Sequence, residues 1–326
     1  MEIFRPQSTL FEQKDSDGIN TMFLVKFQYL FKIQLATANM APIPIKTVHN
    51  TTYPAISPTR PELSTKGKNA LITGGGSGIG AAIAKSFAKS GISDLALLGR
   101  TEKTLLENKA EIESLYPGTT VWTYRVDIVD RESTLSAVRS FAKSTKGTID
   151  IVVANAGYMP KTNSIADSDP DDWWLGFDIS VRGNFNLLQA FTPLAALNAS
   201  VIHVSTEAMY MQYMEGFSGY RASKLAAYKV FEYYAKENPD KTVIQFHPGL
   251  IADTGMTKPI AGFIDAFGLV PDDVTLAGDF SVWAASEEAK FLSGRFVWAG
   301  WDIDELKGLK DELEKDDRKF TIGLLS

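Results

Sequence analysis

Tyr220 and Lys224 stand four residues apart in Tyr220-Arg221-Ala222-Ser223-Lys224. On a helix that spacing puts both on one face, one turn apart. A free tyrosine has a pKa of about 10 and is a poor acid or base at neutral pH. A neighbouring ammonium favours the phenolate and is expected to lower that value, towards the range in which general acid–base chemistry works. Taken alone, the pair also fits an ordinary helix surface. A second signal is Thr73-Gly74-Gly75-Gly76-Ser77-Gly78-Ile79-Gly80, which follows the apolar run 69–73 and opens onto Ala81, Ala82 and Ala84. Glycine serves where a turn needs positive φ and where backbone must approach a diphosphate closely. A helix start adds unpaired N–H groups and partial positive charge. Thr73, Gly74, Ser77, Gly78, Ile79 and Gly80 are therefore read as a dinucleotide-binding turn. The next apolar run ends in Leu98-Gly99-Arg100. The acid that would bind a ribose 2′-hydroxyl is missing there, and Arg100 can pair with a 2′-phosphate. NADP(H) is expected, with NAD(H) the less favoured cofactor.

Composition removes other chemistries. The 326 residues carry 33 Lys+Arg against 39 Asp+Glu, a net charge of −6. That balance argues against a nucleic-acid or polybasic membrane-binding role. There is no cysteine, so disulfides, thiol nucleophiles and thiolate metal sites are excluded. The three histidines, His49, His203 and His247, lie far apart in sequence, and no metal site is expected. His203 and His247 sit beside apolar strands and read as structural. Hydrophobic residues make up 44%, enough for a large core.

The elements that must position these residues alternate. Strand-like runs at 69–73, 95–99, 120–126, 150–155, 200–205 and 242–247 are separated by helix-like segments at 79–89, 102–115, 131–145, 172–191 and 219–236. The strands are continuous apolar runs, as expected when both sheet faces are covered. Strict alternation predicts a doubly wound, Rossmann-type α/β fold: a parallel sheet of about seven strands, helices on both faces, in a single domain. Every candidate group then falls at the C-terminal end of a strand, where such a sheet builds its site.

The first 65 residues differ in texture. Residues 22–38 are rich in Phe and Leu but too short and too charged for a membrane span. The acids before them fit neither a secretory nor a mitochondrial leader. Residues 1–39 are read as a dispensable extension with Met40 as the effective start, or as an amphipathic segment that docks on the fold or a membrane surface. Residues 40–65, rich in proline, are expected to run extended along the surface of a domain spanning 66–326.

Taken together, the glycine turn, Asp127, Asn155-Ala156-Gly157, Ser205-Thr206, Tyr220/Lys224 and Pro248-Gly249, in this order, resemble the short-chain dehydrogenase/reductase family. The resemblance covers about residues 66–300. Thr51-Thr52-Tyr53-Pro54-Ala55 and Phe296-Val297-Trp298-Ala299-Gly300-Trp301-Asp302 look most like fungal members, many of which act in secondary metabolism. The resemblance implies that Tyr220 is the proton donor and acceptor, and that Lys224 tunes it and holds the nicotinamide ribose. It gives Asp127 the adenine contact, Asn155 the cofactor cleft, and Ile251 the backbone beside the carboxamide. Arg182 is a cofactor candidate or simply a surface arginine. A cytoplasmic homodimer or homotetramer, paired through 172–191 and 219–236, is the family default.

Three departures stand out. The substrate-orienting hydroxyl is Thr206, with Ser205 as the alternative. The helix position that usually carries Asn, and holds a relay water, is Ser180. The Thr expected after Pro248-Gly249 is displaced to Thr254. Met- and aromatic-rich sequence around Tyr158-Met159-Pro160, Met209–Met214 and a lid at 255–270 points to a bulky hydrophobic ketone or secondary alcohol as the small-molecule substrate. The leading expectation is an NADP(H)-dependent oxidoreductase. The rival is a catalytically impaired nucleotide-binding protein acting by interaction or cofactor sensing.

Overall fold

The computed structural model describes residues 44–252, 254–266 and 268–323. The extension expected over 1–39 lies outside the described residues. Seven strands form one parallel sheet in the order β3-β2-β1-β4-β5-β6-β7. They are β1 (Asn69–Thr73), β2 (Asp94–Gly99), β3 (Thr120–Arg125), β4 (Ile149–Ala154), β5 (Ala195–Val204), β6 (Thr242–His247) and β7 (Arg295–Trp298). The helices between them are α1 (Gly78–Lys89), α2 (Glu102–Leu115), α3 (Arg131–Ser144), α4 (Pro170–Phe177), α5 (Asn184–Phe191) and α6 (Ser218–Glu237). The short α7 (Ala261–Ala266), then α8 (Val274–Ala284), α9 (Ile303–Gly308) and α10 (Lys310–Lys315) follow.

The apolar strand runs hide a period of two. Ala70 and Ile72 of β1 pack on one side with Leu95, Leu97, Ile151 and Val153, beneath Ile83 and Phe87 of α1 and Phe280 and Trp283 of α8. Leu71 faces the other way, with Ala96, Leu98 and Val152, against Phe141 of α3, Phe191 of α5 and Phe231 of α6. Strands buried on both faces need no polar residue in alternation, which is why they read as unbroken apolar runs. The order reverses at β1, which pairs with β2 on one side and β4 on the other. A doubly wound sheet opens its ligand crevice at such a point.

Two expectations need correction. The helix predicted over 172–191 is interrupted: a π-helical segment, Asp178–Gly183, separates α4 from α5. Hydrophobic periodicity is blind to one extra residue per turn, so the sequence showed one helix. The lead-in is also less extended than predicted. It contains two 3₁₀ turns, Pro54–Ile56 and Pro61–Leu63, each with Pro at its start, and each sinks an apolar residue, Ile56 or Leu63, into the core.

The lead-in is fastened by hydrogen bonds. His49 N–H donates to Gly300 O (2.7 Å), Lys46 N–H to Glu305 Oε2 (2.6 Å), and Tyr53 Oη to Trp301 O (3.1 Å). Buried Asp279 on α8 accepts from Thr52 Oγ1 (2.5 Å) and from Ser86 Oγ on α1 (2.7 Å). Residues 45–259 and 271–326 form one compact unit, and 260–270 belongs to another. The predicted lid falls across that division and partly on residues outside the description. Within it, residues 258–260 form a 3₁₀ turn and α7 follows. Among the described residues, no helix is long and apolar enough to cross a membrane.

Replacing Asp279 by Ala strands two hydroxyls and unties the lead-in from α8. Asp279→Ala is expected to lose about 2–3 kcal/mol in urea unfolding. Asp279→Asn, which keeps one acceptor oxygen, should lose less.

Candidate active site

The C-terminal ends of β1 and β4 are sewn together by Thr73 and Asn155. Thr73 Oγ1 accepts from Asn155 N–H and Ala156 N–H, both at 3.0 Å, and Asn155 Nδ2 donates to Thr73 O at 2.9 Å. The glycine turn wraps over this junction. Gly74 and Gly78 have φ of +68° and +52°, where a β-carbon is strained. Gly80 is needed for room: an added Cβ would sit 2.2 Å from Gly74 O and 2.6 Å from Asn155 Nδ2. Helix α1 thus begins hard against β1. Ser77 and Gly78 are exposed at its start, and no side chain caps it. Its first N–H groups are free to meet an anion, which fits a dinucleotide diphosphate. Half-buried Ile79 packs against the core. Thr254 closes the other side, its Cγ2 3.5 Å from where a Gly78 Cβ would be, and it bonds Thr257 Oγ1 (2.8 Å).

Arg100 is exposed at the tip of β2, with no hydrogen bond or ion pair among the described residues. It is close enough to Tyr158 to draw that hydroxyl down, although the bond from Tyr158 to Asp172 (2.5 Å) dominates and raises it. Arg125, in register with Gly99 on the neighbouring strand, adds a second exposed cation that sequence reasoning missed. Asp127 is exposed beside it, and its Oδ1 accepts from Val129 N–H (3.1 Å). Arg182 is not brought to this group. It is largely exposed and pairs with Asp178 at 3.0 Å along its own segment, the surface role.

Tyr220 and Lys224 lie one turn apart on α6. Thr206 is the hydroxyl that stands close enough to Tyr220 to draw its hydroxyl down. Ser205 instead turns its Oγ towards Met209 Sδ, at 3.6 Å. The strand end thus splits the two hydroxyls, and only Thr206 meets the tyrosine. Period two explains this, since successive residues of an extended chain face opposite sides. Lys224 Nζ is buried and donates to Val204 O (3.2 Å). An added Cβ on Gly157 would lie 3.3 Å from that Nζ, which places Asn155-Ala156-Gly157 across from Lys224. Ile251 is buried after Pro248-Gly249.

The electrostatics differ from the expectation. Burial raises the Tyr220 hydroxyl above its ordinary value, and the nearby Thr206 hydroxyl draws it only part of the way back. Burial also brings Lys224 down to about 8. In this geometry the ammonium spends itself on the Val204 carbonyl, and desolvation of both partners outweighs the anticipated lowering.

Ser180 sits fully buried in the π segment, its Oγ without a partner. Its carbonyl accepts from Asn184 Nδ2 at 2.7 Å, and Asn184 Oδ1 is likewise buried and unpartnered. The two orphan oxygens belong to residues one turn apart, a setting suited to bound water.

A family model described as short chain dehydrogenase matches residues 68–263. The chain belongs to the short-chain dehydrogenase/reductase family. It is 37% identical to a short chain dehydrogenase/reductase of Claviceps purpurea, over 87% of this chain and 95% of the relative. It is 32% identical to the short chain dehydrogenase/reductase AacuD of Aspergillus aculeatus, over 86% and 96%. Among solved structures, a short chain dehydrogenase from Burkholderia cenocepacia in complex with NADP is 26% identical, with a TM-score of 0.66 over 72% of this chain and 96% of that one.

The dehydrogenase holds one cluster that sequence reasoning passed over. Glu207 follows Thr206 directly, and its Oε1 lies 3.4 Å from His247 Nε2. Burial, with Asp272 nearby, pushes Glu207 up to about 7. Burial pulls His247 down to about 4, and its Nδ1 is unpartnered. The contact is therefore a neutral-histidine contact at neutral pH, not an ion pair. Glu207, with no other acid in 199–211, was the available signal. His203, by contrast, is structural as expected: Nδ1 pairs with Gln245 Oε1 at 2.9 Å, and the ring stacks on Phe231.

A carboxyl whose folded pKa is raised destabilises the fold once it must ionise. The protonated form is native below about 7, whereas the unfolded carboxyl ionises near 4.5. Stability should be intact below pH 4.5 and lost as the pH climbs towards 7. Glu207→Gln, which cannot ionise, is expected to melt progressively higher than wild type between pH 5 and 8, by on the order of 2 kcal/mol at the upper end. Parallel melting profiles for the two proteins would show that Glu207 does not titrate in this way.

Proposed function

We propose that this dehydrogenase is an NADP(H)-dependent oxidoreductase acting on a bulky, hydrophobic ketone or the matching secondary alcohol, in fungal-type secondary metabolism. One observation carries the reading: Tyr220, beside the Thr206 hydroxyl with Lys224 one turn behind, stands at the same sheet edge as an uncapped, glycine-lined helix start. The nicotinamide, when bound, supplies the hydride that reduces the carbonyl carbon.

The rest is the work of this chain's residues. Thr206 and Tyr220 share the substrate oxygen, the first orienting it and the second giving its proton as carbon–oxygen double bond becomes C–OH. A Tyr hydroxyl raised by burial keeps its proton until charge develops on that oxygen, so it serves as an acid in the reducing direction. Lys224 restores positive potential near the tyrosinate that remains. Asn155 and Thr73 hold the turn against β4. Arg100, unpaired and exposed, with Arg125 beside it, favours a 2′-phosphate over a 2′-hydroxyl. The NADP complex of the Burkholderia relative supports the same cofactor. A homodimer or homotetramer fits the apolar side chains exposed on α4–α6, namely Trp174, Phe185, Leu225 and Tyr233.

Titration with NADPH and NADH, followed by fluorescence, tests the cofactor. Wild type is expected to bind NADPH about tenfold or more tightly than NADH, and Arg100→Ala to erase most of that difference. Tyr220→Phe should still bind NADPH but lose about a hundredfold or more in ketone reduction. NADPH binding without turnover of any ketone would oppose the enzymatic reading.

The impaired, cofactor-sensing reading has one observation in its favour, the orphaned Ser180 Oγ. Ser180→Asn separates the two. A large gain in kcat would mark the native relay as broken, whereas unchanged or lower kcat supports a Ser180 relay that works as it stands.

A further inference from the structure

Between Thr206 and the start of α6 runs segment 207–217, which opens with a 3₁₀ turn at Glu207–Met209 and is irregular beyond it. Its ends are fixed. Thr206 Oγ1 accepts from Ala208 N–H at 3.2 Å, and Trp173 Nε1 donates to Ser218 Oγ at 3.0 Å. Gly216, at φ +80°, lies so close to Thr162 that an added Cβ would meet its carbonyl carbon at 2.9 Å. Two anchors point inwards, correcting the expectation that they line the cleft. Met209 is buried with Tyr228 and Phe296, and Tyr210 Oη accepts from Trp298 Nε1 at 2.8 Å.

The middle of the segment is held by one side chain. Arg221 Nε donates to Ala208 O (2.6 Å), Nη1 to Gln212 O (2.8 Å) and Nη2 to Met211 O. Its guanidinium meets no carboxylate within ion-pair distance among the described residues. Burial lowers its pKa. Desolvating a cation without a counter-charge is costly, so three carbonyls must repay it. A planar fork spreads its donors over three nitrogens and reaches three separate carbonyls; the three N–H groups of an ammonium radiate from one atom and cannot span that spread. Arg221 follows Tyr220 directly, so the residue that fixes the segment rides on the same helical turn as the tyrosine.

We propose that Arg221 is a positioning residue that holds 208–212 as a rigid wall beside Thr206 and Tyr220, and that this wall sets selectivity for bulky over small carbonyl substrates. The proposal rests on the oxidoreductase reading above. With the segment fixed, half-buried Met211 and Met214 keep one arrangement and present polarizable side chains to a large apolar substrate. Released, the segment would have to be ordered by each substrate, at an entropic cost paid in KM. A small ketone that touches only Thr206 and Tyr220 would not feel the change.

The test compares wild type, Arg221→Ala and Arg221→Lys in three measurements. Hydrogen exchange should accelerate across 208–214 in both variants while α6 beyond Lys224 stays protected. The NADPH Kd should be unchanged. For a bulky aromatic ketone, kcat/KM should fall about tenfold, mainly through KM, with a small aliphatic ketone changed by less than about twofold. Millimolar guanidinium should restore the bulky-ketone KM of Arg221→Ala. Unchanged exchange would overturn the positioning role. Equal losses for both ketones without guanidinium rescue would overturn the selectivity role and leave Arg221 as a structural staple. Wild type that turns over neither ketone would instead sink the oxidoreductase reading and the selectivity claim with it, while the exchange data would still decide whether Arg221 positions the segment.

Discussion

The close approach of the β1 turn to the end of β4 is the constraint on which the site depends. Thr73 Oγ1 accepts both N–H groups that follow β4, and Asn155 returns the bond to Thr73 O. That junction needs a residue without a side chain at Gly80, because the start of α1 passes directly over Gly74 O. Once it forms, the helix start, the Asn155-Ala156-Gly157 turn and Lys224 share one crevice. A parallel sheet supplies the rest of the geometry. All seven strands point the same way, so every loop after a strand opens on that edge.

Burial decides the protonic character of the site more than pairing does. Tyr220 is raised, Lys224 and His247 are lowered, and Glu207 is raised, each with desolvation as the largest cause. The shared direction is towards neutral forms. Such a crevice keeps its acids protonated and loosens the protons of its bases until a substrate oxygen or a cofactor anion supplies charge to answer. Arg100 stands apart from that crevice, exposed at the rim with no ion-pair partner among the described residues.

The region behind α6 is built by close packing of small residues and fixed polar bonds. Gly176 and Gly219 let Pro160 and Trp173 approach, while the π segment inserts one residue before α5 and leaves Ser180 facing inwards. The extra residue changes which side chains point at α6. Ser180 and Asn184 are thereby turned to the interior with oxygens to spare. The same irregularity that a helix-period reading overlooks is what turns the Ser180 hydroxyl inwards.

The sequence by itself determined the sheet, the helices that cover it and the group of residues at its edge. Strand runs at 69–73 and 242–247 and the helix at 102–115 match the structure residue for residue, because each run differs in composition from the residues that flank it. The glycine turn was legible for the same reason, as glycine there answers a local backbone need. Tertiary structure alone decided that Thr206, not Ser205, meets Tyr220, since facing depends on how the strand end is rotated in the sheet. It alone turned Arg182 to Asp178, broke the helix at 178–183, drew Met209 and Tyr210 into the core, and revealed Glu207 and Arg221. Each of these depends on which groups are desolvated together, and desolvation is a property of neighbours far apart in sequence, which no local pattern records.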